Sequence, residues 1–433
     1  MDRQRENLSE LISDDLLTQC IHCGICLSVC PTYDITKLER SSPRGRIRLI
    51  KAFANNEISL GKLFEDEMSF CLGCRACETA CPAGVQYENL HQKTKHILNK
   101  GRKFSVQKIA LKYFLNKILT SSAKLKSFSR MLFYYQKSWL RKFLHSTSLL
   151  KNIFPKLFLM DELSPQISDV ASDELIDEIS LPENEQKYNV AFHVGCIMNV
   201  AFAEINIDTI EVLKKSGCKI YTPINQNCCG ALHAHNGELN TAKGLAKSNI
   251  DLFEKFGYEY LISNSAGCGA FMKEYVELLN EDKRYTEKAE KFSSKVKDIS
   301  EFITENDINL KYKRTDERVT YHDACHLVHG QGVFKQPREI INSLPGISYN
   351  ELNDSTRCCG SAGIYNILRQ EDSMLFLDQK MENIIDTNAD IVLTGNPGCL
   401  LQLRYGVKKY NKNINIKHIV SFVNSTTKNE KKN

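Results

Sequence analysis

Cys20-Ile21-His22-Cys23-Gly24-Ile25-Cys26-Leu27-Ser28-Val29-Cys30-Pro31 and Cys71-Leu72-Gly73-Cys74-Arg75-Ala76-Cys77-Glu78-Thr79-Ala80-Cys81-Pro82 both read C-x2-C-x2-C-x3-C-P. This is the ligand spacing of a bacterial-type [4Fe–4S] site. Three thiolates at two-residue gaps can curl around one cube. The fourth, three residues on and followed by proline, points away and ligates the other cluster. The expected sets therefore cross over: Cys20, Cys23, Cys26 and Cys81 on one cluster, Cys71, Cys74, Cys77 and Cys30 on the other. Gly24, Gly73 and Ala76 let the backbone come close to the sulfurs. Zinc is the competing reading. It commonly takes two separated C-x2-C pairs and has no use for a fourth cysteine plus proline, twice.

Between the runs, Ser42-Pro43 opens a helical stretch through Phe53, since serine followed by proline suits a helix start. The gap is too long for a compact β-rich ferredoxin. A helical ferredoxin domain is expected over residues 1–100, opening with a short helix on Leu8, Leu11, Ile12, Leu16 and Leu17.

Residues 89–160 contain no Asp or Glu and interleave lysines and arginines with aromatics. Val106, Ile109, Ala110, Tyr113 and Phe114 share one helical face, with Lys108 and Lys112 away from it. Basic, aromatic and amphipathic character together describe an interfacial helix on an anionic membrane. A connector packed on its own domains is the alternative, and no nucleic-acid partner is expected. The sign then reverses through Asp161, Glu162, Asp169, Asp173, Glu174 and Glu185, which reads as an acidic, solvated linker or short helix marking a domain boundary. Residues 101–187 form this connector and linker.

The rest is a repeat: strand, cysteine, helix, strand, paired cysteines, helix, strand, Gly-Cys. The first copy, 188–310, carries Cys196, Cys228, Cys229 and Cys268; the second, 311–425, carries Cys325, Cys358, Cys359 and Cys399. Strand candidates are Tyr188–Val194, Lys219–Ile224 and Tyr260–Ser263, then Arg318–His322, Ile347–Leu352 and Asp390–Thr394. Strands alternating with helices imply a parallel, doubly wound sheet. The cysteines then fall at strand carboxyl ends, where such sheets bind ligands and where helix N-termini favour thiolates. The fold class is thus α+β multidomain: a helical ferredoxin domain with two cluster motifs, then two α/β cysteine-rich repeats with parallel sheets. Each repeat's cysteines are read as a metal or cluster site (a further iron–sulfur cluster or zinc), a redox-active thiol pair, or structural cysteines. Cys218 fits no motif and suits a small buried role. His193, His233, His235, His322, His326 and His329 lie near the cysteine loops as relay or ligand candidates.

The 433 residues carry 17 cysteines and a net charge of +5. With cluster spacing, no apolar secretion core after Met1 and no apolar run of about eighteen residues, the cysteines read as reduced thiolates of a cytoplasmic protein. No G-x-G-x-x-G follows a strand, so flavin or nicotinamide chemistry is expected elsewhere.

The two runs, Pro43-Arg44-Gly45-Arg46-Ile47, Cys228-Cys229-Gly230-Ala231-Leu232-His233-Ala234-His235, Asn264-Ser265-Ala266-Gly267-Cys268-Gly269, Tyr321-His322-Asp323-Ala324-Cys325-His326-Leu327, Cys358-Cys359-Gly360-Ser361-Ala362-Gly363 and Gly395-Asn396-Pro397-Gly398-Cys399 together resemble the iron–sulfur subunit family of bacterial glycolate oxidase. More loosely the chain resembles heterodisulfide reductase, whose repeat ends in C-x2-C; here Phe271 and Gln402 hold the last position, which leaves four-cysteine sites. The resemblance implies an electron-transfer subunit. FAD would sit only in partner glycolate oxidase subunits, and electrons would pass through two [4Fe–4S] clusters towards the quinone pool. The location implied is cytoplasmic, peripheral on the inner face of the membrane. A D-lactate dehydrogenase subunit, a thiol–disulfide reductase using a cysteine repeat, and a non-catalytic assembly subunit are the alternatives.

Overall fold

The structure, a computed structural model, describes residues 12–100, 106–147, 149–308 and 310–428. Leu8 and Leu11 of the expected first helix lie outside these residues; the helix Asp14–Thr18 follows them. Helices fill the gap between the cysteine runs as expected. Pro43–Ala54 starts with proline in its first turn, and the Ser42 hydroxyl accepts from Gly45 N–H at 3.0 Å. A side chain at Gly45 would place Cβ 1.9 Å from the Glu39 carbonyl, so only glycine fits against the preceding turn. The apolar sides of Pro43–Ala54, Lys62–Phe70 and Tyr87–Asn99 meet through Ile47, Ile50, Phe53, Phe64, Met68 and Leu90.

The basic segment is a run of helices: Val106–Tyr113, a π turn at Phe114–Ile118, Ser122–Lys137, Trp139–Ser146, Leu149–Ile153 and Pro155–Leu163. Leu111, Phe114, Leu115, Ile118 and Leu119 pack onto the first repeat's core, while Ile109, Ala110 and Tyr113 stay exposed. Phe114 leaves the expected lipid face to stack edge-on against Phe128 at 5.4 Å. Lys108 and Lys112 pair with Glu65 and Glu238.

The acidic stretch is not the solvated linker the sequence suggested. Asp161 accepts from Arg141 Nε at 2.9 Å and meets His145 Nε2 at 2.5 Å. Asp169, Asp173 and Glu174 pair with Lys137, Lys126 and Arg130 at 3.1, 3.1 and 3.2 Å. Opposite charge blocks adjacent in sequence neutralise each other by folding back. The stretch also supplies β1 (Ile179–Ser180), the one antiparallel strand of the first sheet.

The first repeat contributes β2 (Tyr188–Phe192), β3 (Cys218–Tyr221), β4 (Tyr260–Ser263) and β5 (Val296–Asp298). The second contributes β6 (Arg318–Tyr321), β7 (Ser348–Tyr349), β8 (Ile391–Thr394) and β9 (Asn415–His418). The sheet orders are β1-β3-β2-β4-β5 and β7-β6-β8-β9. Setting β1 aside, both are parallel sheets with the second strand outside the first, then the third and fourth. Strand order reverses between each repeat's first and third strands, and such switch points open a crevice at the carboxyl ends. β5 and β9 were absent from the sequence reading, and β7 is two residues rather than six. Cys218 is fully buried at the start of β3, as expected of a small apolar filler, and burial pushes its thiol up to about 12.

Candidate functional site

In the first run His22 (φ 55°) and Gly24 (φ 88°) flank Cys23; in the second Gly73 (φ 60°) and Arg75 (φ 65°) flank Cys74. The same left-handed residues on both sides of the middle cysteine make each backbone curl, which brings successive thiols and N–H groups to one side. Gly73 N–H reaches Cys71 Sγ at 3.4 Å. Cys30, Cys71, Cys74 and Cys77 together line one small cavity. Arg46 and Tyr87 complete that lining. Arg46 is fully buried, donating to the Glu67 carbonyl at 2.8 Å and to Thr32 Oγ1 at 3.1 Å, with one guanidinium nitrogen 4.0 Å from the Glu67 carboxylate and without a hydrogen bond among the described residues; the Tyr87 hydroxyl also lacks one among them. Four thiols, a buried cation and a buried hydroxyl around one void fit a sulfur-ligated, anionic cube. The first run lies near the surface, with Cys23 exposed and Ile21, Ile25, Val29 and Leu38 exposed around it.

The repeat cysteines sit where the topology places them. Cys196 and Cys325 open the helices Cys196–Ala201 and Cys325–Gln331 after the first strands. Cys268 and Cys399 lie in the first turns of Ala266–Lys273 and Pro397–Lys409 after the third strands. The pairs Cys228-Cys229 and Cys358-Cys359 precede Gly230 (φ 97°) and Gly360 (φ 87°). A Cβ at Gly360 would meet the Ser373 carbonyl at 2.5 Å, which is why each pair is followed by glycine. Within each repeat the thiols form a row; Cys196 and Cys228 lie 3.4 Å apart. Their neighbours in the row, then burial, push Cys228, Cys229, Cys268 and Cys325 well above the usual thiol range. Crowding and burial thus override the helix N-termini expected to favour thiolates, and a bound cation is what would ionise these rows. Lys380 lies buried by the second row, and burial lowers its ammonium to about 8 against the pull of Cys359 and Cys358.

Both rows face a single cavity of about 650 Å³ that also reaches Cys71. The ferredoxin region closes it. His326 Nε2 meets the Gly73 carbonyl at 3.0 Å, Thr79 meets His329 at 2.9 Å, and Tyr365 donates to the Phe70 carbonyl at 3.2 Å. His235 binds Glu88 at 3.0 Å, and its ring lies 5.1 Å from that of His326. Burial works against the Glu88 carboxylate, yet the His235 and Gln92 hydrogen bonds hold it below the usual range. His233 Nε2 meets the Leu115 carbonyl at 2.8 Å. His193 reaches the Asn227 carbonyl at 3.3 Å. Both ring nitrogens of His322 lack a partner among the described residues. In the missing C-x2-C positions, Phe271 packs edge-on against Tyr275 and Gln402 bonds Asn366 and Ser373. The sequence reading missed Arg46, Tyr87, Glu88 and Lys380 as site residues. Arg46 lay inside a quoted motif, but nothing local marks the other three.

The sequence profile of the 4Fe–4S dicluster domain matches residues 16–85, and that of the cysteine-rich domain matches 190–273 and 319–404. The profile described as glycolate oxidase iron–sulfur subunit, linker region, matches residues 106–164. A probable glycolate oxidase iron–sulfur subunit of Bacillus subtilis is 37% identical over 414 residues, spanning 94% of this chain and 93% of that protein. The glycolate oxidase iron–sulfur subunit of Escherichia coli is 28% identical over 406 residues, covering 93% of each. Lactate utilization protein A of Oceanobacillus iheyensis is 28% identical over 240 residues, which are 54% of this chain and 96% of that protein.

Proposed function

This chain belongs to the glycolate oxidase iron–sulfur subunit family, and from that premise we propose that it carries electrons from a separate FAD-containing subunit, which oxidises glycolate, towards the quinone pool. In this reading two [4Fe–4S] clusters sit on the crossed sets, Cys20, Cys23, Cys26 with Cys81, and Cys71, Cys74, Cys77 with Cys30. The clusters supply one-electron transfer; the chain holds them, tunes them and keeps water from the inner one. The observation that carries the reading is their unequal placement. In the first run Cys23 is exposed, Cys20 and Cys26 are half-buried, and the nearby Ile21, Ile25, Val29 and Leu38 are exposed, which suits docking of an electron donor. The second is more enclosed, with Cys77 buried and Cys71, Cys74 and Cys81 half-buried, beside the cavity that both cysteine repeats share.

No helix among the described residues is long and apolar enough to cross a membrane. Contact with quinone is assigned to peripheral docking through the helices 139–160. Trp139, Leu140, Phe143, Ile153, Phe154 and Leu157 are exposed there among the exposed Lys142, Lys151 and Lys156.

Rapid mixing of the reconstituted complex with glycolate tests the division of labour, following flavin and cluster absorbance separately. Cys20→Ser and Cys74→Ser should abolish electron flow to quinone and leave the partner's flavin reducible. Reduction of the isolated chain's clusters by glycolate would refute the reading and move attention to the cysteine rows.

A further inference from the structure

We propose that the second repeat holds a single zinc-class divalent ion on His322, Cys359 and Cys399. The ligand atoms of these three side chains all lie within 4.8 Å of one another, and all three are buried. A tetrahedral ion about 2.3 Å from sulfur and about 2.0 Å from nitrogen sets its ligand atoms roughly 3.5–4 Å apart, so small side-chain adjustments close the site. The second observation is His322 itself. It is 1% exposed, yet neither Nδ1 nor Nε2 has a hydrogen-bond partner among the described residues. A buried polar atom left unpaired costs about 1–3 kcal/mol, and a metal ion removes that cost at one nitrogen.

The first repeat is an internal comparison. His193 stands three residues before Cys196, as His322 stands three before Cys325. His193 turns its Nε2 to the Asn227 carbonyl, and the first row does not gather a histidine in this way. The two rows are therefore chemically different: four sulfurs in the first, sulfurs with an imidazole in the second. One nitrogen and two thiolates form a borderline-soft donor set, which selects zinc over hard cations. Three protein ligands with a fourth position left over is the arrangement of reactive rather than purely structural zinc sites. His322, Cys359 and Cys399 all line the shared cavity, so the fourth ligand comes from it: water, a neighbouring thiol or a bound molecule with an oxygen or sulfur donor.

The test is metal analysis of the full chain, purified anaerobically from zinc- and iron-replete cells, with X-ray absorption at the zinc edge. About one zinc per chain is expected, with both nitrogen and sulfur neighbours. His322→Ala and Cys399→Ser should lower zinc at least fivefold and leave the roughly eight irons of the N-terminal runs in place; that iron count also reports that the variant has folded. His322→Cys should keep the zinc and lose the nitrogen neighbour, and His193→Ala should change neither metal. Zinc absent from the unaltered chain, zinc indifferent to His322→Ala, or sulfide-bridged iron in place of zinc would each overturn the assignment.

Discussion

Arg46 puts a buried positive charge beside Cys30 and Cys71. A [4Fe–4S] cluster gains one negative charge on reduction, so a nearby cation stabilises the reduced state and raises the potential. At an effective dielectric of about 20, one charge at roughly 8–10 Å is worth about 1–2 kcal/mol. Glu67, 4.0 Å from the guanidinium, takes back part of this. Arg46→Met should therefore lower the midpoint of the inner cluster by roughly 50 mV, read by EPR-monitored redox titration. Arg46→Lys should recover most of it, because the charge returns although the bonds to Glu67 and Thr32 do not. A shift in the outer cluster instead would place Arg46's influence wrongly. That the two runs form a dicluster domain could be read from spacing alone, because a cube dictates spacing. The partners that distinguish one residue from another could not. His193 and His322 have the same offset from their cysteines, and only the packed loops decide that one bonds a carbonyl and the other stands within 4.8 Å of two thiols.

Strands with strong apolar runs were legible: Tyr260–Ser263 forms over the expected residues. Val296-Lys297-Asp298 was not, since three residues carry too little pattern and β5 exists because β4 offers it a free edge. Its last residue caps the next helix, Ile299–Glu305: Asp298 accepts from Ser300 N–H at 2.8 Å in a capping box with Glu301. Burial raises this carboxyl to about 7, against the Ser300 bond. The unfolded chain releases that proton near pH 4. Between about pH 4 and 7 the native state holds the proton and the unfolded state does not, so this group's contribution to stability falls as pH rises. Asp298→Asn keeps a good cap and removes the titration. It should raise the melting temperature at pH 8 by on the order of 2 °C and leave it nearly unchanged at pH 5. An equal loss at both values would mean that the charged cap is what the helix needs.

Over the whole molecule, charge is sorted rather than merely abundant. The basic helices lie against the acidic stretch 161–174, which satisfies Arg141, Lys126 and Arg130 internally. Lys108 and Lys112, beside the face first read as lipid-facing, are tied to Glu65 and Glu238. Reversing those two charges would test the packing of the connector, not its affinity for lipid. What remains turned outward is a different set: Trp139, 75% exposed, with Leu140, Phe143, Ile153, Phe154 and Leu157. The alternation of basic and aromatic residues could be read in the sequence, but which side faces out is decided by the first repeat's hold on Leu111, Leu115 and Leu119. If this surface docks on lipid, the chain should sediment with vesicles containing anionic lipid and be released by high salt, since exposed charges are screened beyond about 10 Å at 0.1 M. Burial of an aromatic side chain is worth about 1.5–3 kcal/mol, so Trp139→Ser with Phe143→Ser should weaken vesicle binding at least tenfold. Lys142→Glu with Lys151→Glu should remove the dependence on anionic lipid. Both pairs are exposed, so iron content and melting temperature should hold. Vesicle binding unchanged in both double variants would assign these helices to a protein partner and leave quinone to be reached another way.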